Sequence, residues 1–253
     1  MDIRQTVSEK LREIEQTQDV RILYCVESGS RAWGFASPDS DYDVRFIYAR
    51  PREFYLKLED TRDVIEWQLD DTLDINGWDL RKMLQLLYKS NPTVFEWNNS
   101  PIVYKEADEW ERVRRVIGGC FQVKAGLYHY LSTVKSNYHV HFKGEQVKLK
   151  KYFYVLRPLL ACRYIIDSKM PPPMLFSELV RLHLEPSVKP FVDKLLETKK
   201  VTSELGTGGH IPQLDEYIEK GIDDIQKAME SLPDQPRNDW QALNECFLDI
   251  VGR

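Results

Sequence analysis

Apolar positions repeat along this chain with two periods, one of strands and one of helices, and the balance between them shifts partway along. Residues 6–17 carry Val7, Leu11 and Ile14 on one helical face, and Thr6 followed by Glu9 has the form of a capping box, which predicts an opening helix. Val20–Val26 (VRILYCV) is a short β-rich run that ends at Ser28, Gly29 and Ser30, the pattern of a strand turning sharply into a helix. After the turn sequence Ser37-Pro38-Asp39-Ser40, a second strand begins near Asp41, where Val44, Phe46 and Tyr48 alternate with Asp43, Arg45 and Ile47. Val64–Gln68 and Thr72–Ile75 read as two more strands joined by the acidic turn Leu69-Asp70-Asp71. Helical spacing then returns over Trp78–Tyr88 through Leu80, Leu84 and Leu87. The order to this point is α-β-α-β-β-β-α.

From Tyr104 onward helical patterns dominate, over Asp108–Cys120, Gly126–Ser136, Gln146–Asp167, Phe176–Leu184, Pro190–Lys199 and Pro212–Leu232. Met170-Pro171-Pro172-Pro173 is a stiff connector and Gly206–Gly209 a loop between helices. The expectation is an α+β protein: a mixed sheet with helices over residues 1–105, followed by a helical domain over residues 106–253.

Composition changes this picture little: 42% hydrophobic and 30% charged residues suit a globular chain and are too apolar for a disordered one. The first twenty residues lack the apolar stretch of a signal peptide and no later run reaches membrane-span length, so a cytoplasmic location without membrane association is expected. Cys25, Cys120, Cys162 and Cys246 are far apart in apolar contexts and read as reduced core thiols. Net charge is −5, so any nucleic-acid contact must come from a local basic patch.

The candidate chemistry lies in the turn and in the strand that follows it. Asp41 and Asp43, two apart at a strand start, direct their carboxylates to one face, and hard oxygen ligands held this close suit magnesium or manganese. A glycine at a strand-to-helix turn lets backbone N–H groups approach a phosphate, and Ser30 adds a hydroxyl donor. Together they supply the positioning and charge neutralisation of phosphoryl or nucleotidyl transfer. A Gly-Ser pair followed by Asp-x-Asp is short enough for chance to produce, and the strand and helix context is what singles it out.

Other candidates have a structural alternative. Lys148, Lys151 and Arg157, near Tyr152 and Tyr154, suit triphosphate or base contact, or form a solvated helix face. Arg31 contacts phosphate or caps the turn. Ser136, Asn137 and Lys143 belong to a polar connection that would join the cleft. His139 and His141 lack a third ligand at metal-binding spacing and read as loop or core residues. The Gly206–Gly209 loop lacks the Lys-Ser or Lys-Thr that would follow in a P-loop.

The stretch SGSRAWGFASPDSDYDVRFIY, residues 28–48, resembles the signature of the DNA polymerase beta superfamily of nucleotidyltransferases. The branch it looks most like is the one associated with RNA ligases, and DINGWDLRKML at 74–84, SNPTVFEW at 90–97, SPIVY at 100–104 and KKYFYVLRPLLACRYI at 150–165 resemble that branch too. The similarity runs from about residue 20 to residue 168.

This resemblance implies a polymerase-beta-like fold in which Gly29 and Ser30 hold a nucleoside triphosphate, ATP among the possible nucleotides. It also implies that Asp41 and Asp43 bind two magnesium (or manganese) ions together with a third acid. Asp74 is the choice for that acid, since the matching segment begins there and its strand can pair beside the Asp41–Tyr48 strand; Glu66, Asp70 and Asp71 compete. The implied reaction transfers a nucleoside monophosphate to a hydroxyl acceptor, an RNA end, with release of pyrophosphate. The alternatives are nucleotidylation of a protein or small molecule, which the acidic net charge keeps open, and a noncatalytic nucleotide-binding module.

Overall fold

The computed structural model describes residues 2–69, 72–201 and 206–252, so Asp70 and Asp71 lie outside the described residues. In chain order, α1 (Ile3–Gln18), β1 (Arg21–Glu27), the single-turn α2 (Gly29–Ala32), β2 (Tyr42–Ala49), β3 (Val64–Leu69), β4 (Leu73–Asp79), α3 (Leu80–Tyr88), α4 (Pro92–Asn98), β5 (Val103–Glu106) and α5 (Trp110–Ile117) come first. They are followed by α6 (Val123–His141), β6 (Gln146–Lys148), α7 (Lys151–Ser168), α8 (Phe176–His183), α9 (Lys189–Val201), β7 (Thr207–Gly209), α10 (Pro212–Glu230) and α11 (Trp240–Val251). The architecture is mixed α+β.

Two compact units divide the chain. The first comprises residues 1–32, 41–121 and 237–253, the second residues 33–40 and 122–236. These limits stand beside the single boundary after residue 105 that the pattern suggests.

The first unit is built on a five-stranded sheet in the order β3-β4-β2-β1-β5. β2 and β4 run parallel and the other neighbours antiparallel. The alternation read from the sequence decides the faces of the sheet. Val44, Phe46, Tyr48, Leu73 and Ile75 join Val7, Leu11 and Ile14 of α1 in one core. Leu23, Val26 and Ile47 join residues of α3, α4, α5 and α11 in the other.

The opening helix begins earlier than the sequence suggests. Asp2 is its N-cap, accepting from the Arg4 N–H, and Thr6 sits inside the helix with its hydroxyl donated to the Asp2 carbonyl instead of heading a capping box.

Helix α11 has no counterpart among the elements read from the sequence. Leu243, Cys246 and Ile250 are its buried face, but Trp240 and Leu248 are large and exposed, which blurs the apolar stripe. Trp240 stacks on Tyr88 at 3.7 Å, and Asn238 donates to the carbonyls of Tyr88 and Cys120, which holds the helix to the sheet unit. β5 is likewise absent from the sequence reading, because VYKE carries two charges in four residues.

In the second unit α7 packs against α6, α8 and α10, and it buries residues on nearly every side, including Tyr152, Phe153, Leu156, Leu160 and Ile165. The helix expected over Gln146–Asp167 starts only at Lys151. Residues 146–148 pair instead with Thr207–Gly209, so the glycine-rich segment is a short strand and not a simple helix connector. All four cysteines are buried and free. Among the described residues no helix is long and apolar enough to cross a membrane.

Candidate active site

β1 ends in Glu27, and the chain turns through Ser28 into α2. Gly29 has φ +59, a backbone conformation that costs any residue with a Cβ. A Cβ built there would also lie 1.9 Å from Asp43 Oδ2, so conformation and space both require glycine. The Ser28 N–H donates to the Asp43 carbonyl at 2.8 Å, which ties the turn to β2. The helix after the turn is one turn long and closes with the Ala32 N–H donating to the Ser28 carbonyl at 3.4 Å.

Strand register sets the carboxylates. β2 and β4 pair with Asp43 opposite Asp74, and in parallel neighbours residues so paired present their side chains on the same face. The Arg45 guanidinium donates to Asp43 Oδ1 at 3.0 Å and to Asp74 Oδ2 at 2.6 Å, with a further bond to the Asp74 carbonyl. Asp41 precedes β2 and is exposed; its carbonyl accepts from Arg31 Nε at 3.0 Å, and the Arg31 guanidinium lies 3.7 Å over the Tyr42 ring.

Burial pushes the Asp43 carboxyl above its ordinary range. Arg45 opposes the rise, Asp74 and Asp41 add to it, and Arg31 opposes it again. Three acids and two guanidinium groups therefore act on one another here.

Glu27 is a member of this cluster that the sequence reading passed over. It is fully buried, accepting the Asp43 N–H on Oε1 at 2.7 Å and the Tyr104 hydroxyl on Oε2 at 2.5 Å. Burial raises its pKa against the pull of those two hydrogen bonds. The available signal was a charged residue closing an apolar strand directly before the Ser-Gly-Ser turn. Arg45 had a similar signal as the third member of the Asp41, Asp43, Arg45 alternation.

The other candidates fall as follows. Glu66 is exposed and paired with Arg62 at 2.5 Å. Ser30 is half-buried on α2. Lys148 and Lys151 belong to the second unit, on β6 and at the start of α7. Burial lowers the Lys151 pKa, with Lys150 and Lys148 adding to the effect, and its ammonium lies 5.0 Å over the Tyr154 ring.

Among the described residues no three His, Cys, Asp or Glu side chains converge as a formed cation cage. A guanidinium bridges Asp43 and Asp74 instead, which shows that these carboxylates draw positive charge between them. Asp41, Asp43 and Asp74 each carry the oxygen donors that hard divalent cations take, though among the described residues no three such side chains are gathered as a metal-holding group.

Comparison with known proteins adds the context that geometry alone lacks. The RNA repair pathway DNA polymerase beta family, RlaP, matches residues 3–249. The uncharacterized protein YcgL of Bacillus subtilis (strain 168) is 44% identical over 251 residues, which cover 98% of this chain and 96% of that protein. A crystal structure of a nucleotidyltransferase-like protein from Exiguobacterium sibiricum 255-15 is similar at 14% identity and a TM-score of 0.32, covering 98% of this chain and 79% of that one. At that score it assigns no residue of this chain a role.

Proposed function

Since this chain belongs to the RNA repair pathway DNA polymerase beta family and is a nucleotidyltransferase, we propose that it transfers a nucleoside monophosphate from a nucleoside triphosphate to a hydroxyl of RNA, releasing pyrophosphate. The observation that carries this reading is the register of β2 on β4, which sets Asp43 beside Asp74 within reach of the Gly29 turn.

In this reading the turn at Gly29 and Ser30 receives the triphosphate, with Arg31 at its side. The acceptor hydroxyl attacks the α-phosphorus; one P–O bond forms and the bond to the β-phosphate oxygen breaks. Asp74 takes the hydroxyl proton. Asp41, Asp43 and Asp74 would hold two magnesium or manganese ions, which when bound lower the pKa of the nucleophile and neutralise charge on the leaving pyrophosphate. Arg45 must then release Asp43 and Asp74, or share them. Glu27 keeps the backbone of Asp43 in place throughout.

Incubation with each α-labelled nucleoside triphosphate, magnesium or manganese, and RNA, DNA or protein acceptors tests the reading. Label is expected on RNA and is expected to vanish in Asp41→Ala and Asp43→Ala. Label on protein alone would replace RNA with the protein acceptor that the net charge of −5 keeps open. Undiminished transfer in Asp43→Ala would remove the metal-site assignment.

A further inference from the structure

We propose that the groove between α6 and α10 holds single-stranded RNA; this rests on the reading that RNA is the acceptor. Residues 122–166 contain eight Lys and Arg against a single acid, Glu145, in a chain whose net charge is −5, and two of the eight, Lys124 and Lys135, line this groove. Helix α6 lies inside that segment and has no Asp or Glu among its 19 residues. It carries Lys124, Lys135 and three histidines, so it is a local basic surface of the kind an acidic chain needs in order to meet a polyanion.

Val123, Leu127, Tyr130, Leu131 and Val134 are buried on α6. Its other face presents Lys124, Tyr128, Ser132, Lys135 and His139 to a cavity of about 770 Å³ whose far wall includes Met229 of α10. His139 is therefore an exposed helix residue, where the sequence pattern suggested loop or core; Ser136 and Asn137 also lie on α6, not in a connection between elements.

These spacings draw one stripe down the helix, about 22 Å from Lys124 to His139 at ~1.5 Å per residue. Cation, ring, hydroxyl, cation and imidazole follow in turn along it. Tyr128 is 66% exposed, a ring face open to stacking. Cations for phosphates, with an open aromatic face for an unpaired base, are the chemistry that recognises a single strand; a duplex keeps its base faces stacked. The acids lie on the other wall: α10 carries six acids and two lysines, with Glu230 in the groove and Glu219 accepting from the Tyr138 hydroxyl, and Asp234 is paired with Lys124 at 2.5 Å, so the strand is placed along the α6 face. Lys135 and His139 lie further along the stripe.

The test is fluorescence anisotropy of the full chain with a short labelled uridine oligoribonucleotide over a series of salt concentrations. Tyr128→Ala is expected to weaken binding about tenfold through lost stacking. Lys135→Ala is expected to reduce the slope of log affinity against log salt by about 0.7, the signature of one phosphate contact on a single strand. Both side chains are exposed, so neither change removes core packing. Arg62→Ala, on the other unit, is expected to leave binding unchanged.

Wild-type affinity and salt slope in both groove variants would overturn the proposal, as would equal affinity for duplex RNA. Strong RNA binding that these variants weaken, without any nucleotide transfer to RNA, would sustain the groove and remove the RNA-acceptor reading. Transfer to RNA with unaltered binding in the variants would do the reverse.

Discussion

The carboxylates on β2 and β4 and the cations on α6 are two charge clusters built by different means. Strand pairing fixes the first: Asp43 and Asp74 are opposite one another in the ladder, Gly29 presses against Asp43 Oδ2, and Glu27 holds the Asp43 N–H from beneath. Helical spacing alone lays out the second, with Tyr128, Lys135 and His139 exposed and Lys124 half-buried against Asp234. The difference teaches where precision is needed. Like charges brought together at one point need rigid backbone to hold them, whereas a polyanion is gathered by a row of side chains that each contribute a little. Substitutions in the first cluster should therefore act sharply, and those in the second by degrees.

Among substitutions that leave the carboxylates themselves in place, the sharpest departure is expected from Gly29→Ala. The added Cβ meets Asp43 Oδ2 and the φ of +59 is strained, so the carboxylate must move. Displacements of that scale cost on the order of a hundredfold in rate, read as kcat for nucleotide transfer in protein whose circular dichroism is unchanged.

Next comes Glu27→Leu, which leaves the Asp43 N–H and the Tyr104 hydroxyl without their buried acceptor. A loss of about 1–3 kcal/mol for each group left unpaired follows, measured by urea unfolding. Glu27→Gln keeps an acceptor for the Asp43 N–H and should recover most of the stability. Equal destabilisation by both variants would show that charge, not the hydrogen bond, is what matters there.

A smaller effect is expected from Arg45→Gln, and it is a shift in pH. Burial holds the Asp43 pKa above the usual carboxylate range and Arg45 works against that rise. In the metal-free protein the Asp43 carboxyl should therefore titrate above an ordinary aspartate, and removing Arg45, whose charge opposes the rise, should move that titration to higher pH, read by carboxyl-carbon NMR. A titration that moves to lower pH would contradict the electrostatic role given to this arginine.

Much of the first cluster was legible in the sequence because its rules are local. A β-rich run into Ser-Gly-Ser specifies the turn, and the alternation through Asp41, Asp43 and Arg45 specifies a face. The pairing of β4 with β2 is long-range, and the sequence offered Asp74 only through resemblance and a strand able to pair there. Glu27 was hidden because a charge at a strand end reads as solvated; only the arrival of Tyr104 on β5 and the Asp43 N–H makes its burial tolerable. β5 and α11 were hidden by charges and exposed aromatic or aliphatic residues that disturb their periods. The α6 stripe was overlooked for a different reason: the basic bias of residues 122–166 is plain in the sequence, but the helix was expected to end at Ser136, which separated His139 from Lys135.

The central claim is that Asp43 and Asp74 act as one unit. Single-turnover transfer to RNA by Asp43→Asn, Asp74→Asn and the double variant measures this most directly. If the two carboxylates serve one centre, each single change abolishes most of the rate, by on the order of a thousandfold, and the double variant is no slower than the worse single one. Full activity in Asp74→Asn, or losses that multiply in the double variant, would contradict the account.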